Sequence, residues 1–256
     1  MSYSDRAPPL AIGTVMGRAF GVMTGNPMTV FAIAFLLGAV PQQVMSQLLM
    51  VRIGPDAAAQ SGFVALMVLN FIVYAICTAL ALAALVRTTG AFVQGRTIGL
   101  GESLSGGLVK LLPLIGVAIL YTIGIAVGWV FLIVPGIIVL VTWIVTIPAL
   151  VEEDRGVFAA FGRSRELTRG VRWTIFFLVV IVLILSWLAS ALGAVPTVIL
   201  NGGLTGLKPT PVTVVTALIT STLTTALWST VVTSLFFTLR EAREGPQTEQ
   251  LADVFA

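Results

Sequence analysis

Long apolar stretches separated by short charged clusters run the length of the chain. Five uncharged runs lie between the clusters: Ala19 to Val51, Ala57 to Val86, Leu111 to Val151, Trp173 to Leu207 and Pro209 to Leu239. About 20 helical residues cross a ~30 Å hydrocarbon layer, so four of the runs hold one span each. The third, Leu111 to Val151, would reach roughly 60 Å as a single helix, about twice the layer, and must double back. Pro135, which cannot donate a backbone hydrogen bond, and Gly136, which tolerates unusual dihedrals, place the turn between Gly128 and Gly136. The pattern predicts an all-α, polytopic membrane protein. Its six transmembrane helices are expected at about 28–50, 62–86, 111–131, 134–151, 173–199 and 212–239.

A short segment of mixed polarity precedes each pair of spans, giving expected interfacial helices at about 10–25, 97–109 and 155–171. Ile12-Gly13 leads to Pro27 at the first span, and Ile98-Gly99 leads at the same interval to Pro113 at the third, an offset of 86 throughout. The third segment, Gly156 to Arg172, stands in the equivalent place with a poorer match. The chain therefore reads as three repeats of interfacial helix plus transmembrane hairpin, internal repeats being common in membrane folds. The alternative is that Gly and Pro recur by chance at helix starts. Residues 241–256 form a polar cytoplasmic tail with a short apolar end at Leu251, Val254 and Phe255, expected to be disordered in isolation and a possible dock for a partner.

Composition sharpens this picture. Apolar residues make up 57%, charged residues 10%, and the mean hydropathy is +1.05, against about 25% charged residues in a soluble domain. A water-soluble globule is excluded. The net charge of +3 is small and no basic face runs along the chain, so nucleic acid is not an expected partner. With no histidine and only Cys77, the sequence excludes Ser-His-Asp and Cys-His catalysis, His-ligated zinc and disulfides. Cys77 reads as an inert small apolar side chain. No ionised residue falls inside a predicted span, which argues against ion-coupled transport and intramembrane catalysis. The expectation is a protein that is not an enzyme and has no catalytic, metal or cofactor site.

The charges also orient the chain. If the N-terminus is cytoplasmic, twelve Lys and Arg residues lie inside and only Arg52 and Lys208 outside, and six spans return the C-terminus to the cytoplasm. No signal peptide is evident, because the first apolar run begins late and lacks a cleavage pattern.

In the third segment, Phe158, Phe161, Arg165, Arg169 and Arg172 follow helical spacing, with aromatic residues first and basic ones after. Such a stripe suits the headgroup level, rings in the acyl boundary and guanidinium groups on lipid phosphates. Arg163, Arg165, Arg169, Arg172 and Trp173 are the candidate headgroup ligands, with anionic phospholipids as expected partners. The simpler alternative is that these arginines only set orientation, each worth about 1 kcal/mol on ordinary anionic lipid. Asp154 is a candidate N-cap for this helix. Glu152, Glu153 and Asp154 are the one acidic cluster, read either as a hard-cation site or as a solvated helix start favoured by the dipole.

Within the spans, Trp143, Trp187 and Trp228 sit near mid-span rather than at the interfaces where Trp is enriched. The last span carries one hydroxyl face at Thr213, Thr216, Thr220 and Thr224, and another at Thr222, Thr225, Ser229 and Thr233. Two arrangements fit: hydroxyls that join packed helices, or a cavity for an amphipathic ligand lined by Asn70, Tyr121, Trp143, Trp187, Thr220, Thr224 and Trp228. Gly124 with Gly128, and Ala75, Ala79 and Ala83, give small-residue faces for close packing within the chain. Pro148 should kink the fourth span.

The stretch Ile133-Val134-Pro135-Gly136-Ile137-Ile138, then Ile147-Pro148-Ala149-Leu150-Val151-Glu152, then Arg163-Ser164, Leu167-Thr168, Gly170 and Arg172-Trp173, resembles the membrane domain associated with bacterial glycerophosphoryl diester phosphodiesterases and related multi-pass proteins. The resemblance covers about 130–180, with weaker echoes over 10–30 and 96–115. It implies the bacterial inner membrane and a loose link to glycerophospholipid metabolism. In fused members this domain anchors a catalytic barrel, which needs histidines that this chain lacks. The resulting expectation is a non-catalytic membrane module that binds lipid or anchors a protein partner at its cytoplasmic face; the alternative is a passive or partner-driven transporter or flippase for a lipid-like amphipathic molecule.

Overall fold

A computed structural model describes residues 10–52, 62–131, 133–200 and 210–245, and every regular element among them is helical. The first unit comprises α1 (Ile12–Gly25), α2 (Pro27–Ile33), which runs through a π-helical segment (Ala34–Ala39) into α3 (Val40–Arg52), and α4 (Phe63–Val93). The second comprises α5 (Leu100–Val109), α6 (Leu111–Phe131), α7 (Ile133–Trp143) and α8 (Thr146–Glu152). The third comprises α9 (Val157–Thr168), α10 (Arg172–Leu200) and α11 (Pro211–Glu244). Five helical stretches are long and apolar enough to cross a membrane: Pro27–Leu49, Ala65–Val93, Val134–Glu152, Arg172–Leu200 and Pro211–Glu244. A sixth is reached when α5 and α6, bent by 69° from one another, are taken together as one broken span. The protein is a polytopic all-α membrane protein in which a short helix precedes each pair of long ones.

The units close into a ring. In each case the short helix packs on the last helix of the preceding unit: α5 on α4, α9 on α8, and α1 on α11. The last contact joins the two ends of the chain, where Arg18 pairs with Glu241 at 2.7 Å and donates to Thr238. The short helices are therefore packed elements as well as surface ones; Val15, Ala19 and Val22 of α1 are fully buried.

Backbone irregularities follow from prolines. Pro41 lacks an N–H and its ring crowds the carbonyl four residues earlier. Just before it, the Val40 N–H bonds to the Phe35 carbonyl, a five-residue step that makes the turn π-helical. The same turn carries Gly38 against Thr225 of α11, where an added Cβ would lie 2.6 Å from the threonine side chain. Pro148 acts more strongly than a kink: the fourth span breaks at Ile144 and Val145, between α7 and α8. The Thr142 carbonyl at the break accepts from the Ser164 hydroxyl at 2.8 Å, which locks α9 onto α7.

The chain reverses between α6 and α7, within the expected interval. Gly124 packs against Trp143 and Gly128 against Gly136, an antiparallel pairing that needs both glycines. A Cβ on Gly128 would stand 2.9 Å from the Gly136 Cα, a backbone atom that cannot rotate away. Gly128→Val is expected to force the hairpin apart and cost about 2–3 kcal/mol, read as a lower thermal midpoint of the purified protein.

The α11 hydroxyls act mainly in packing. Thr216 meets Thr197 at 3.2 Å and Thr220 covers Gly193, joining α10 to α11; Thr233 meets Thr89 at 2.9 Å, joining α11 to α4. Others bond back to their own helix, as Thr222 does to the Leu218 carbonyl at 2.7 Å. Two helices overrun their expected ends: α4 continues to Val93 rather than 86, and α11 to Glu244 rather than 239.

Candidate functional site

The charged end of the bundle holds most of the described ion pairs, and they sort its cations into two groups. Arg163 is buried, with 7% of its side chain exposed. It reaches Glu153 at 2.9 Å and Glu166 at 3.2 Å, and also pairs with Glu244. This corrects the expectation that Arg163 meets lipid headgroups: its guanidinium is enclosed by carboxylates of α9, α11 and the loop after α8. Sequence could not separate it from Arg165, because both positions look equally basic on one short helix.

Lys110 donates to the Val151 carbonyl at 2.7 Å and pairs with Asp154 at 2.9 Å. Asp154 is thus not the N-cap of α9; it sits in the left-handed region with φ of 50°, and Gly156 occupies the cap position without a side-chain bond. The hydrogen bond from Lys110, followed by its positive charge, holds the exposed Asp154 carboxyl below the usual carboxylate range. Because the folded value is the lower one, the pair's contribution is present at neutral pH and is lost as pH falls through that value. The thermal midpoint of the native protein is expected to converge on that of Asp154→Asn as pH is lowered through the carboxylate range. The three adjacent acids also part company, since Glu153 faces Arg163 and Arg155 while Asp154 faces Lys110. Among the described residues they form no common metal-holding group.

Arg165, Arg169 and Arg172 behave differently. The expected single helical stripe is broken, because α9 ends at Thr168, Arg169 is extended, and Gly170 takes φ of +83° before α10 begins at Arg172. The turn nevertheless gathers the three arginines, with Gly162 and Glu166, around one pocket of about 500 Å³. Among the described residues none of the three has a carboxylate partner. The Nε of Arg172 is buried without an acceptor. Arg243 donates to the Arg169 carbonyl and fixes the extended residue.

Arg172 also lines a second, apolar pocket of about 370 Å³, formed by Val134, Ile137, Ile138 and Val141 of α7 with Trp173 and Phe176 of α10. Trp173 is 76% exposed and meets Phe176 edge-on at 6.0 Å. From Val141 back to Val134 the α7 wall runs roughly 10 Å away from the arginines. A cationic pocket and an apolar groove thus share one residue. Sequence reasoning missed the groove. Its signal, apolar residues at i, i+3, i+4 and i+7, is present but invisible in a run that is apolar on all sides.

Of the seven residues expected to line a mid-span cavity, three do so. Tyr121, Trp143 and Trp228 contribute to a cavity of about 400 Å³ between α4, α6, the α7–α8 break and α11. Trp187 faces outward with 77% exposure, Thr220 is taken by the α10 contact, Thr224 bonds back to the Thr220 carbonyl, and Asn70 stands outside the lining. Helix rotation decides these placements, and an all-apolar span gives no rotational cue. Ala75 and Ala79, part of the expected small-residue face, also line this cavity.

Compared with protein families, with characterised proteins and with solved structures, the chain matches none.

Proposed function

We propose that this is a non-catalytic integral protein of the bacterial inner membrane that holds an anionic phospholipid at its cytoplasmic end. One contrast carries the reading: Arg18, Lys110, Arg155, Arg163 and Arg240 sit on carboxylates, whereas Arg165, Arg169 and Arg172 share a pocket whose one lining carboxylate, Glu166, pairs with Arg163 and not with them, directly beside an apolar groove. A lipid phosphate offers the oxygens that those guanidinium groups lack, in charge-assisted hydrogen bonds. An acyl chain of the same molecule fits the groove between α7 and α10, and Trp173 beside it suits the headgroup level. The inward placement of twelve of the fourteen Lys and Arg residues supports the cytoplasmic assignment. The likeness to the diesterase-associated membrane domain enters this proposal as architecture, and a protein partner at the same face would complete an anchoring role.

The test is to purify the protein in mild detergent and identify retained lipids by native mass spectrometry. Anionic phospholipids are expected to remain bound in preference to zwitterionic ones, and to be lost when Arg165, Arg169 and Arg172 are all changed to Gln. Equal retention of both lipid classes, or unchanged retention in the triple variant, would defeat the proposal.

A second reading, passage of an amphipathic molecule across the membrane, draws support from the mid-span cavity. That cavity shares no lining residue with the arginine pocket or its groove, so a headgroup held at one has no lined route to the other. Lipid retention is the better-supported function.

A further inference from the structure

The mid-span cavity is a separate site, and its polar inventory is one-sided. Tyr121 lies ten residues into α6, roughly 15 Å from its start and so near the middle of a ~30 Å layer. Among the described residues no charged side chain lines the cavity. The Thr78 hydroxyl donates to the Tyr74 carbonyl of its own helix, and the Thr146 hydroxyl to the Trp143 carbonyl across the α7–α8 break, at 2.7 Å each. The Tyr121 hydroxyl and the indole N–H groups of Trp143 and Trp228 have no acceptor among the described residues. Both indoles are donors only, and in an apolar layer donors of this kind ordinarily find a partner. Water is scarce at this depth, so the missing acceptors belong to a lipid-soluble molecule. The α4 wall is half exposed at Phe71 and Tyr74, which gives such a molecule a lateral entrance.

We infer that this cavity binds an uncharged, lipid-soluble molecule through a carbonyl oxygen that accepts from the Tyr121 hydroxyl and from an indole N–H of Trp143 or Trp228. An anionic headgroup is excluded there, because no cation among the lining residues compensates it; a carbonyl oxygen, with two lone pairs, accepts from such donors without bringing a charge to the midplane. The volume of about 400 Å³ with an apolar lining and few polar groups is typical of small-molecule sites. Quinone rings and the ester groups of neutral glycerolipids both present this chemistry. The site stands whether or not the arginine pocket holds a phospholipid.

The test uses the full-length protein in lipid nanodiscs with decylubiquinone as probe, reading tryptophan fluorescence. Saturable quenching above the linear partitioning background is expected, because two of the lining residues are themselves the fluorophores. Dioctanoylglycerol is the second arm: relief of quenching by it assigns the site to ester carbonyls as well, and no relief assigns it to quinones. Tyr121→Phe removes one donor while leaving the ring, and should weaken binding roughly three- to ten-fold. Ala75→Phe, which fills the cavity, should abolish saturation. The inference is overturned if neither probe binds saturably, if carbonyl-free decylbenzene competes as well as the carbonyl compounds, or if Tyr121→Phe leaves the binding constant unchanged.

Discussion

Arg163→Met is expected to be the most damaging single substitution at the charged end, lowering stability by about 3–5 kcal/mol. The reason is what stays behind. Glu153 has only 9% of its side chain exposed, and Glu166 and Glu244 face the same guanidinium. Removing the cation leaves buried negative charge with less compensation, since Arg155 and Arg240 reach Glu153 and Glu244 from more exposed positions. The cost also spreads over three elements, because Arg163 ties α9 to α11 and to the loop that follows α8. Arg163→Lys keeps the charge but loses the planar fork that serves several carboxylates at once, so it should recover only part of the loss. At roughly 2–4 °C per kcal/mol for a chain of this size, the thermal midpoint of the methionine variant should fall by about 10 °C. Arg165→Gln, at an exposed position two residues away, should move it by less than about 2 °C. Equal midpoints for the two variants would refute the hub assigned to Arg163.

The triple change of Arg165, Arg169 and Arg172 to Gln should act on lipid and leave stability nearly intact. Each basic side chain near an anionic surface contributes about 1 kcal/mol, so losing three should weaken anionic lipid binding roughly 100-fold. The three changes should not contribute equally. Arg172 lines both the cationic pocket and the apolar groove, and its Nε is buried, so Arg172→Gln alone is expected to account for the largest share. Arg165 and Arg169 are exposed, and their effects should fade as salt is raised. Titration with phosphatidylglycerol in detergent, at low and high salt, measures both points. A uniform, salt-independent loss across the three single variants would argue against a shared pocket.

The resolution of the two cation groups shows where reading the chain succeeds and where it stops. Charges at the ends of apolar runs made the crossings legible, because they depend on local spacing alone. Closure of the bundle was not legible: that α1 packs on α11, across more than two hundred positions, is a contact between distant parts of the chain. The interval of the reversal was legible because the third apolar run is too long for one crossing, but Pro135 and Gly136 lie inside α7 rather than in the turn, and the contact of Gly128 with Gly136 is a tertiary one. The π-helical turn before Pro41 was missed, although Pro41 and Gly38 were both in view, since its advantage lies in the fit of Gly38 to Thr225 on α11.

The sequence by itself determined that this chain is a bundle of apolar helices with its ionised groups kept to the borders, because excluding charge from hydrocarbon acts on every residue independently of its neighbours. Only the tertiary structure decided what each border charge or mid-span aromatic does. Arg163 became internal and Arg165 stayed free; Trp187 turned outward and Trp228 inward. These outcomes depend on how each helix is rotated against its partners, and a helix apolar on every side acquires that rotation only through the contacts made when the bundle packs.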